Sequence, residues 1–407
     1  MEEERLICNI CHAIIHDENG NFCSDCGCPL EKEEGLIRHY FRIGYEYEEI
    51  LRFLASKHGM KMSLRTLKNR LREYGLRRKN YQEDEGQVRQ TIEAELDGPG
   101  NSRGYRSMWH CFKIDHNVQT QRATVERVLR DVDPEGTERR KRHQFRRRQY
   151  INPGPDWCWH VDGHDKLKPY GFPIHGCIDG YSRKIMWLKV GRTNNDPHVI
   201  AHHFLECVKQ YAACPRLLRT DCGTENGVMA AIQCYFRQGF DDEYSGINSH
   251  RYGTSTSNQR IENWWSFYSR GKGHWWRNFF KDLVDRGIVQ TGSEMHMECL
   301  WFCFSRVLEI DLDQVKEHWN THRIRQSRHE TIGGRPDALY FLSGENFKSP
   351  VSENIVADME QYCSEPINES FFTEYFQYTM ENCNLNYPTY WRDALQLYHT
   401  LLEIAQG

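Results

Sequence analysis

Three carboxylates in different local contexts offer ligands for a catalytic metal. Asp162 ends the apolar run Trp-Cys-Trp-His-Val-Asp, which is typical of a buried strand, and Asp221 ends a second short run, Leu-Leu-Arg-Thr-Asp. Glu262 follows the Ser- and Thr-rich stretch 254–257, where a cap precedes a helical pattern. Two strand-end aspartates and a helical glutamate can bind paired Mg²⁺ (or Mn²⁺) ions about 3.5–4 Å apart, which suits in-line phosphoryl transfer. The sequence therefore predicts two divalent ions per site, bound by Asp162, Asp221 and Glu262.

The elements that must position these carboxylates follow an α/β pattern. Residues 174–178 and 185–190 form two further predicted strands, which the turn Asp-Gly-Tyr-Ser joins as a hairpin. Residues 197–213 form a predicted amphipathic helix that leads into the strand of the second aspartate. Asn258 shares the helix face of Glu262. The apolar stripe of the same helix consists of Ile261, Trp265 and Tyr268.

Other polar groups near the three carboxylates are assigned different roles. Asp179 precedes a glycine, so we predict a turn role and not a metal role for it. Glu225 and Asp165 rank below the three carboxylates as metal ligands. His160 and His164 flank the first aspartate, and we favour packing or hydrogen bonding over metal ligation for both.

The segment from about 157 to 342 contains several motifs in a characteristic order. They are Trp159-His-Val-Asp-Gly-His-Asp-Lys-Leu-Lys-Pro-Tyr-Gly, Ile178-Asp-Gly-Tyr-Ser-Arg-Lys-Ile, Arg219-Thr-Asp-Cys-Gly-Thr-Glu-Asn, Asn258-Gln-Arg-Ile-Glu and His318-Trp-Asn-Thr-His-Arg-Ile-Arg. Together they resemble the catalytic core of retroviral integrases and related insertion-sequence transposases, most closely the eukaryotic transposon-encoded branch. The resemblance implies an α/β ribonuclease H-like core, a mixed sheet flanked by helices. It also implies that Asp162, Asp221 and Glu262 form the DDE triad of a polynucleotidyl transferase with endonuclease activity.

The resemblance sets the expected function and partners. We expect metal-dependent cleavage of phosphodiesters and DNA strand transfer, with double-stranded DNA as the partner, both as transposon ends and as target. Synapsis of two ends predicts a homo-oligomer, and such a role predicts a nuclear location. Two alternatives stay open: a host-recruited DNA-binding protein that keeps the fold without strand transfer, and a simple metal-dependent nuclease.

The first 34 residues contain two Cys-x-x-Cys pairs, which predict a zinc-ribbon-like segment. Four thiolates at this spacing can close a tetrahedral Zn²⁺ site, and so short a segment has too little apolar content to fold without one. The four predicted ligands are Cys8, Cys11, Cys23 and Cys26. Cys28, His12 and His16 are alternative ligands, and unliganded thiols are the other interpretation. The acidic start does not resemble a secretory signal, so we expect the 16 cysteines to be reduced or metal-bound.

Two helical units are predicted between this segment and the core, at 35–80 and 81–138. In the first, a helix beginning at Ser63 follows two others, as in helix-turn-helix units that bind the major groove. The outward basic residues of this helix are Arg65, Lys68 and Arg72. A plain three-helix bundle with a solvated basic face is the alternative. The second unit resembles the winged-helix-like segment that precedes the core in insertion-sequence transposases.

Charge is distributed unevenly along the chain. Residues 35–155 contain 26 Lys/Arg and 16 Asp/Glu, whereas the aromatic C-terminal tail, 343–407, contains 2 Lys/Arg and 10 Asp/Glu. A basic block is expected of a protein that binds a phosphate backbone. The densest part is the linker 139–156, which we predict to contact DNA, to act as a nuclear import signal, or both. Its basic residues are Arg139, Arg140, Lys141, Arg142, Arg146, Arg147 and Arg148.

Two tryptophan pairs follow Glu262, at 264–265 and 275–276, with cations between them. They can stack on unpaired bases or fill a hydrophobic core, and core packing is the favoured interpretation. Arg270 and Lys272, which lie between the pairs, are predicted to contact DNA. No apolar run reaches the roughly 20 residues that a membrane span needs, so no membrane is expected.

Overall fold

The computed structural model describes most of the chain from residue 33 onwards. The described residues are 6–7, 14–15, 33–78, 85–101, 103–116, 118, 120–139, 152–253, 258–326, 332–367 and 370–406. They fall into two compact units: Met1–Val88 with Trp109–Glu126, and Arg89–Met108 with Arg127–Gly407. The predicted domain boundaries stay predictions.

The N-terminal segment is described only in two short strands, β1 (Leu6–Ile7) and β2 (Ile14–Ile15), which pair antiparallel. The four predicted zinc ligands, Cys8, Cys11, Cys23 and Cys26, lie outside the described residues. Zinc binding therefore stays a prediction.

Three consecutive helices belong to the first unit. They are α1 (Glu33–Ile43), α2 (Tyr47–His58) and α3 (Leu64–Glu73). The predicted start of the third helix is confirmed, because the Ser63 hydroxyl accepts a hydrogen bond from the backbone N–H of Thr66 at 3.1 Å. Leu67 and Leu71 are buried, whereas the three predicted DNA-binding residues of α3 are exposed. Four further helices follow: α4 (Glu85–Leu96), α5 (Tyr105–Ile114), α6 (Arg122–Val132) and α7 (Pro134–Arg139).

The second unit contains a five-stranded mixed sheet with the strand order β5-β4-β3-β7-β8. Strand β3 pairs antiparallel with β4 and parallel with β7, and β8 extends the parallel part. The strands of this unit are β3 (Cys158–His164), β4 (Ile174–Asp179), β5 (Ile185–Val190), β6 (Ala213–Cys214), β7 (Leu217–Thr220), β8 (His250–Tyr252) and β9 (Ser349–Pro350). The four predicted strands are confirmed as β3, β4, β5 and β7, with β4 and β5 forming the predicted hairpin, and the flanked mixed sheet fits the predicted ribonuclease H-like core.

Helices cover both faces of this sheet. The helices that follow β5 along the chain are α8 (Pro197–Tyr211), α9 (Gly227–Phe236), α10 (Gln259–Arg270), α11 (Lys272–Asp285), α12 (Glu294–Thr321), α13 (Pro336–Phe341), α14 (Glu353–Glu360), α15 (Phe371–Asn382) and α16 (Trp391–Gln406). Ile174 and Ile178 of β4 belong to one hydrophobic cluster, which includes residues of α10, α11 and α12. Cys177, on the opposite side of the same strand, belongs to a second cluster with residues of α8 and α9. The alternation of side chains along a strand thus builds two cores, one on each face.

One residue of α12 covers the open side of the edge strand β5. The side-chain amide of Asn320 accepts a hydrogen bond from the Ile185 backbone N–H at 2.8 Å and donates one to the Ile185 carbonyl at 3.0 Å. Asn320 is buried, so both backbone groups of Ile185 are satisfied away from solvent.

The acidic C-terminal tail packs on the same unit as the sheet. Phe376 of α15 and Leu397, Tyr398 and Leu401 of α16 belong to the cluster that includes α12. None of the helices in the described part of the chain combines the length and the apolar character needed to cross a bilayer.

Candidate active site

The two aspartates lie at the same end of two neighbouring parallel strands. In the pairing of β3 with β7, His160 is opposite Arg219. Asp162 and Asp221 each follow two residues after that pair, one within β3 and the other directly after β7. The parallel register therefore brings both residues to the same side of the sheet. The expectation that Asp162 ends its strand needs correction, because β3 continues to His164.

Helix α10 carries Glu262 in its first turn and is attached to β3 at its start. The predicted Ser/Thr cap needs correction, because Asn258 occupies the N-cap position, and its side chain does not cap the helix. The Asn258 amide instead donates to the Val161 carbonyl at 2.8 Å, and its oxygen lies 2.7 Å from Nδ1 of His160. These contacts fix the start of α10 on the strand segment directly before Asp162.

The histidine in this contact is neutral and plays a structural role. Burial lowers the pKa of His160 to about 3. Because the Asn258 oxygen can only accept, the His160 ring carries its proton on Nδ1. His164 is also buried, and its ring stacks on Trp265 with centroids 4.7 Å apart. The prediction that both histidines pack or form hydrogen bonds is confirmed.

The carboxylate of Asp162 is half-buried among charges of the same sign. Burial, then Glu262 and Asp221, raise the pKa of Asp162 to about 7. One of its oxygens, Oδ2, accepts a hydrogen bond from Trp265 Nε1 at 3.0 Å. Burial and the charge of Asp221 also raise the pKa of Glu262. The carboxylates therefore repel one another, and bound cations would relieve this repulsion.

Asp221 is held by the turn that follows it. Its Oδ1 accepts hydrogen bonds from the Gly223 backbone N–H at 3.2 Å and from the Asn226 amide at 2.9 Å. The same amide donates to Glu225 at 3.1 Å. Asn226 was not predicted as a site residue, although it ends the motif that begins at Arg219.

One comparison with known protein families matches the part of the chain that contains this site. Residues 149–343 match the integrase core domain. A search of curated proteins finds no match to the chain. The matched range includes all three carboxylates and the whole mixed sheet, and it supports the predicted relation to the retroviral integrase-like superfamily.

Integrase cores act as polynucleotidyl transferases on DNA and use divalent cations such as Mg²⁺. The donor set of this site fits that use, because carboxylate oxygens are the ligands that Mg²⁺ prefers. The oxygen atoms that Asp162, Asp221 and Glu262 would offer to a metal do not all lie within 4.8 Å of one another. They are therefore spread more widely than the ligands of one compact ion.

The lower-ranked carboxylates of the integrase core have hydrogen-bond partners of their own. Asp179 is buried and accepts hydrogen bonds from the backbone N–H groups of Asp156 and Ser182, which confirms its turn role. Asp165 accepts a hydrogen bond from the Asn194 amide at 2.7 Å.

The tryptophan pairs after Glu262 belong mainly to the core. Trp264, Trp265 and Trp276 are buried in the hydrophobic cluster, and Trp275 packs against it, so the packing interpretation is confirmed for this group. The predicted apolar stripe of α10 did not indicate that the Trp265 indole would also contact Asp162.

The predicted DNA contacts have different surroundings. Arg270 is exposed at the end of α10. Lys272 needs correction, because it is 9% exposed, its ammonium group pairs with Asp311, and it donates to Gln314 at 3.2 Å. A buried, paired ammonium is not available to a phosphate backbone. Arg139 ends α7, and the linker residues Arg140, Lys141, Arg142, Arg146, Arg147 and Arg148 lie outside the described residues.

Proposed function

We propose that this protein is a transposase or integrase that cleaves DNA and transfers DNA strands at Asp162, Asp221 and Glu262. The observation that carries the proposal is the convergence of these carboxylates at one edge of an integrase-core sheet. Their mutual repulsion supports it, since it raises the pKa of Asp162 to about 7. A site without a catalytic use would be free to lose charges that are costly to hold together.

The proposed metals are two Mg²⁺ or Mn²⁺ ions bound by the three carboxylates. Bound divalent cations supply positive charge that stabilises the phosphodiester during displacement and activates the attacking hydroxyl. The protein holds the ligands in place: Trp265 and the β3 backbone orient Asp162, the turn with Asn226 orients Asp221, and Asn258 fixes the helix of Glu262. No covalent enzyme intermediate is needed, because water or a DNA 3′-hydroxyl is the nucleophile.

DNA binding is proposed for the basic surfaces outside the carboxylate site. The exposed face of α3, with Arg65, Lys68 and Arg72, suits major-groove binding, and Arg270 suits a backbone contact beside the site. The basic linker 139–156 is proposed to bind DNA and to direct the protein to the nucleus. Zinc at the N-terminal cysteines and a homo-oligomer that joins two DNA ends belong to the same proposal.

The experiment that tests this function measures joining and nicking in one reaction. The full chain is incubated with Mg²⁺ or Mn²⁺, a supercoiled plasmid and fluorescent duplexes that have free 3′-hydroxyls and randomised end sequences. Label that becomes covalently attached to the plasmid reports joining, and relaxed plasmid reports nicking by water. Glu262→Gln removes one charge of the triad, and Glu225→Gln is the matched control because it keeps the oxygen that Asn226 contacts.

The outcomes separate the competing functions. Joined products that disappear in Glu262→Gln and persist in Glu225→Gln support the proposal. Nicking without joining would favour a metal-dependent nuclease. Duplex binding without nicking or joining, equal in all the proteins, would favour a recruited DNA-binding protein.

A further inference from the structure

Trp265 donates a hydrogen bond from Nε1 to Oδ2 of Asp162, at 3.0 Å. We propose that Trp265 is a positioning residue, which holds Oδ2 and thereby orients the Asp162 carboxylate as a ligand for the proposed cation. This inference rests on the proposed function, since it concerns how that site binds its metal. Trp265 was predicted to belong to the apolar stripe of α10, and the inference adds a hydrogen-bonding role to it.

The Trp265 ring is itself held firmly, as a positioning group must be. Its side chain is 4% exposed and stacks on His164 with an interplanar angle of 19°. Gly176 of β4 makes room for it: a Cβ at that position would lie 3.1 Å from the Trp265 ring. Since Gly176 is also the residue opposite Asp162 in the β3–β4 pairing, the ring lies beside the strand position that carries the carboxylate.

The chemistry of indole suits this task. An indole has one N–H donor and no acceptor, so it can hold one carboxylate oxygen without competing for the cation. Because α10 carries both Trp265 and Glu262, three residues apart, the same helix supplies one proposed ligand and orients another. Hydrogen bonds of this kind to metal ligands typically change metal affinity when they are removed.

The neighbouring tryptophan provides a matched control. Trp264 is 1% exposed and lies on the same helix, yet its Nε1 has no hydrogen-bond partner among the described residues. Trp264→Phe therefore removes a buried indole N–H without removing a contact to the site. Trp265→Phe removes the N–H that reaches Asp162 and keeps an aromatic ring in the core.

The test measures Mn²⁺ binding to the full-length protein by titration calorimetry, without DNA. Wild type, Trp265→Phe, Trp264→Phe and Asp162→Asn are compared, and the affinity of each for a fluorescent duplex is measured in EDTA. We expect Trp265→Phe to weaken Mn²⁺ binding by roughly tenfold or more, with duplex affinity unchanged. Trp264→Phe should keep wild-type values in both measurements.

The results distinguish failure of this inference from failure of the proposed function. If Asp162→Asn loses Mn²⁺ binding while Trp265→Phe keeps the wild-type affinity, the positioning role is refuted and the metal site stands. Equal weakening in the two tryptophan variants would also refute it, because general loosening of the core would then explain the effect. If wild type and Asp162→Asn bind Mn²⁺ equally, the metal site itself fails, and the inference fails with it.

The wild-type protein provides a second measurement in case Trp265→Phe does not fold. The indole N–H signals are followed by NMR during Mg²⁺ addition, with the Trp264 signal identified by its absence in Trp264→Phe. We expect Mg²⁺ to shift the indole signal of Trp265 and to leave the Trp264 signal unmoved. The Trp265 signal is recognised because Asp162→Asn also displaces it. Indole signals that are all unmoved by saturating Mg²⁺ would overturn the inference.

Discussion

Replacing Asp162 with asparagine is expected to stabilise the metal-free protein, although it removes a proposed catalytic ligand. Burial and the charges of Glu262 and Asp221 raise the pKa of this carboxyl to about 7, so the folded protein holds its ionised form at a cost. Asparagine has nearly the same shape, carries no charge, and can still accept the hydrogen bond from Trp265.

The size of the effect follows from the pKa. The pKa of Asp162 rises from 3.8 to about 7. At about 1.4 kcal/mol for each pKa unit, the folded protein destabilises the ionised carboxylate by at most about 4 kcal/mol. The hydrogen bond from Trp265 loses its charge assistance in the variant, which costs about 1 kcal/mol. Partial solvent access at the half-buried carboxyl lowers the gain further. We expect the variant to be more stable by about 1–2 kcal/mol above pH 7.

The dependence on pH has a definite sign. In the unfolded chain this carboxyl loses its proton near pH 3.8, whereas in the folded protein it does so near pH 7. Between these values the unfolded state binds fewer protons, so the contribution of Asp162 to stability falls as the pH rises. The advantage of the variant should therefore be smallest near pH 4, grow up to about pH 7, and stay constant above that.

Urea unfolding in EDTA, followed by tryptophan fluorescence, measures this difference. All tryptophans except Trp109 belong to the second unit, so the signal reports the unit that contains the site. Glu262→Gln should also raise the free energy of unfolding of the metal-free protein. The reasoning is refuted if Asp162→Asn is no more stable than wild type at pH 8. It is also refuted if the difference in free energy of unfolding does not change between pH 4 and pH 8. Saturating Mg²⁺ should reverse the order by stabilising wild type alone.

Three further outcomes are expected. Asn258→Ala should destabilise the second unit by about 1–3 kcal/mol in urea unfolding, because it leaves the buried His160 N–H without its acceptor; an unchanged midpoint would contradict this. Gly176→Ala should lower the unfolding midpoint and weaken Mn²⁺ affinity, since its Cβ would meet the Trp265 ring, whereas Gly227→Ala, with open space around it, should not weaken that affinity. Alanine at the three exposed cations of α3 should weaken duplex binding. The slope of log affinity against log salt concentration, measured by anisotropy, should fall by an amount that corresponds to up to about three phosphate contacts.

The sequence predicted the strands and the carboxylates because both depend on local patterns. A buried strand requires a short apolar run, so the strands that carry or precede Asp162 and Asp221 could be predicted, whereas their parallel pairing is seen only in the structure. Helix α10 could be predicted because its apolar residues recur with the period of a helix. This pattern is local and does not depend on which element the helix packs against. Its first residue was less well defined, because Asn258 uses its side chain on a distant strand.

Contacts between residues far apart in the chain could not be predicted. Lys272 lies among aromatic residues and other cations in sequence, and nothing local indicates that Asp311 would pair with it in the interior. The indole of Trp265 fits an apolar stripe equally well with or without a bond to Asp162, about a hundred residues away. Such pairings depend on how helices lie on the sheet, which no short pattern encodes.

The side chain of Asn320 occupies the first backbone position of an edge strand of the sheet. An unpaired edge strand is a template on which a second molecule or an extended peptide can add a strand. Because the Asn320 amide engages both the N–H and the carbonyl of Ile185, β5 has no backbone groups to offer at this residue. A second strand could add to β5 at Ile185 only by displacing the Asn320 amide, so this side chain blocks strand addition at the start of β5.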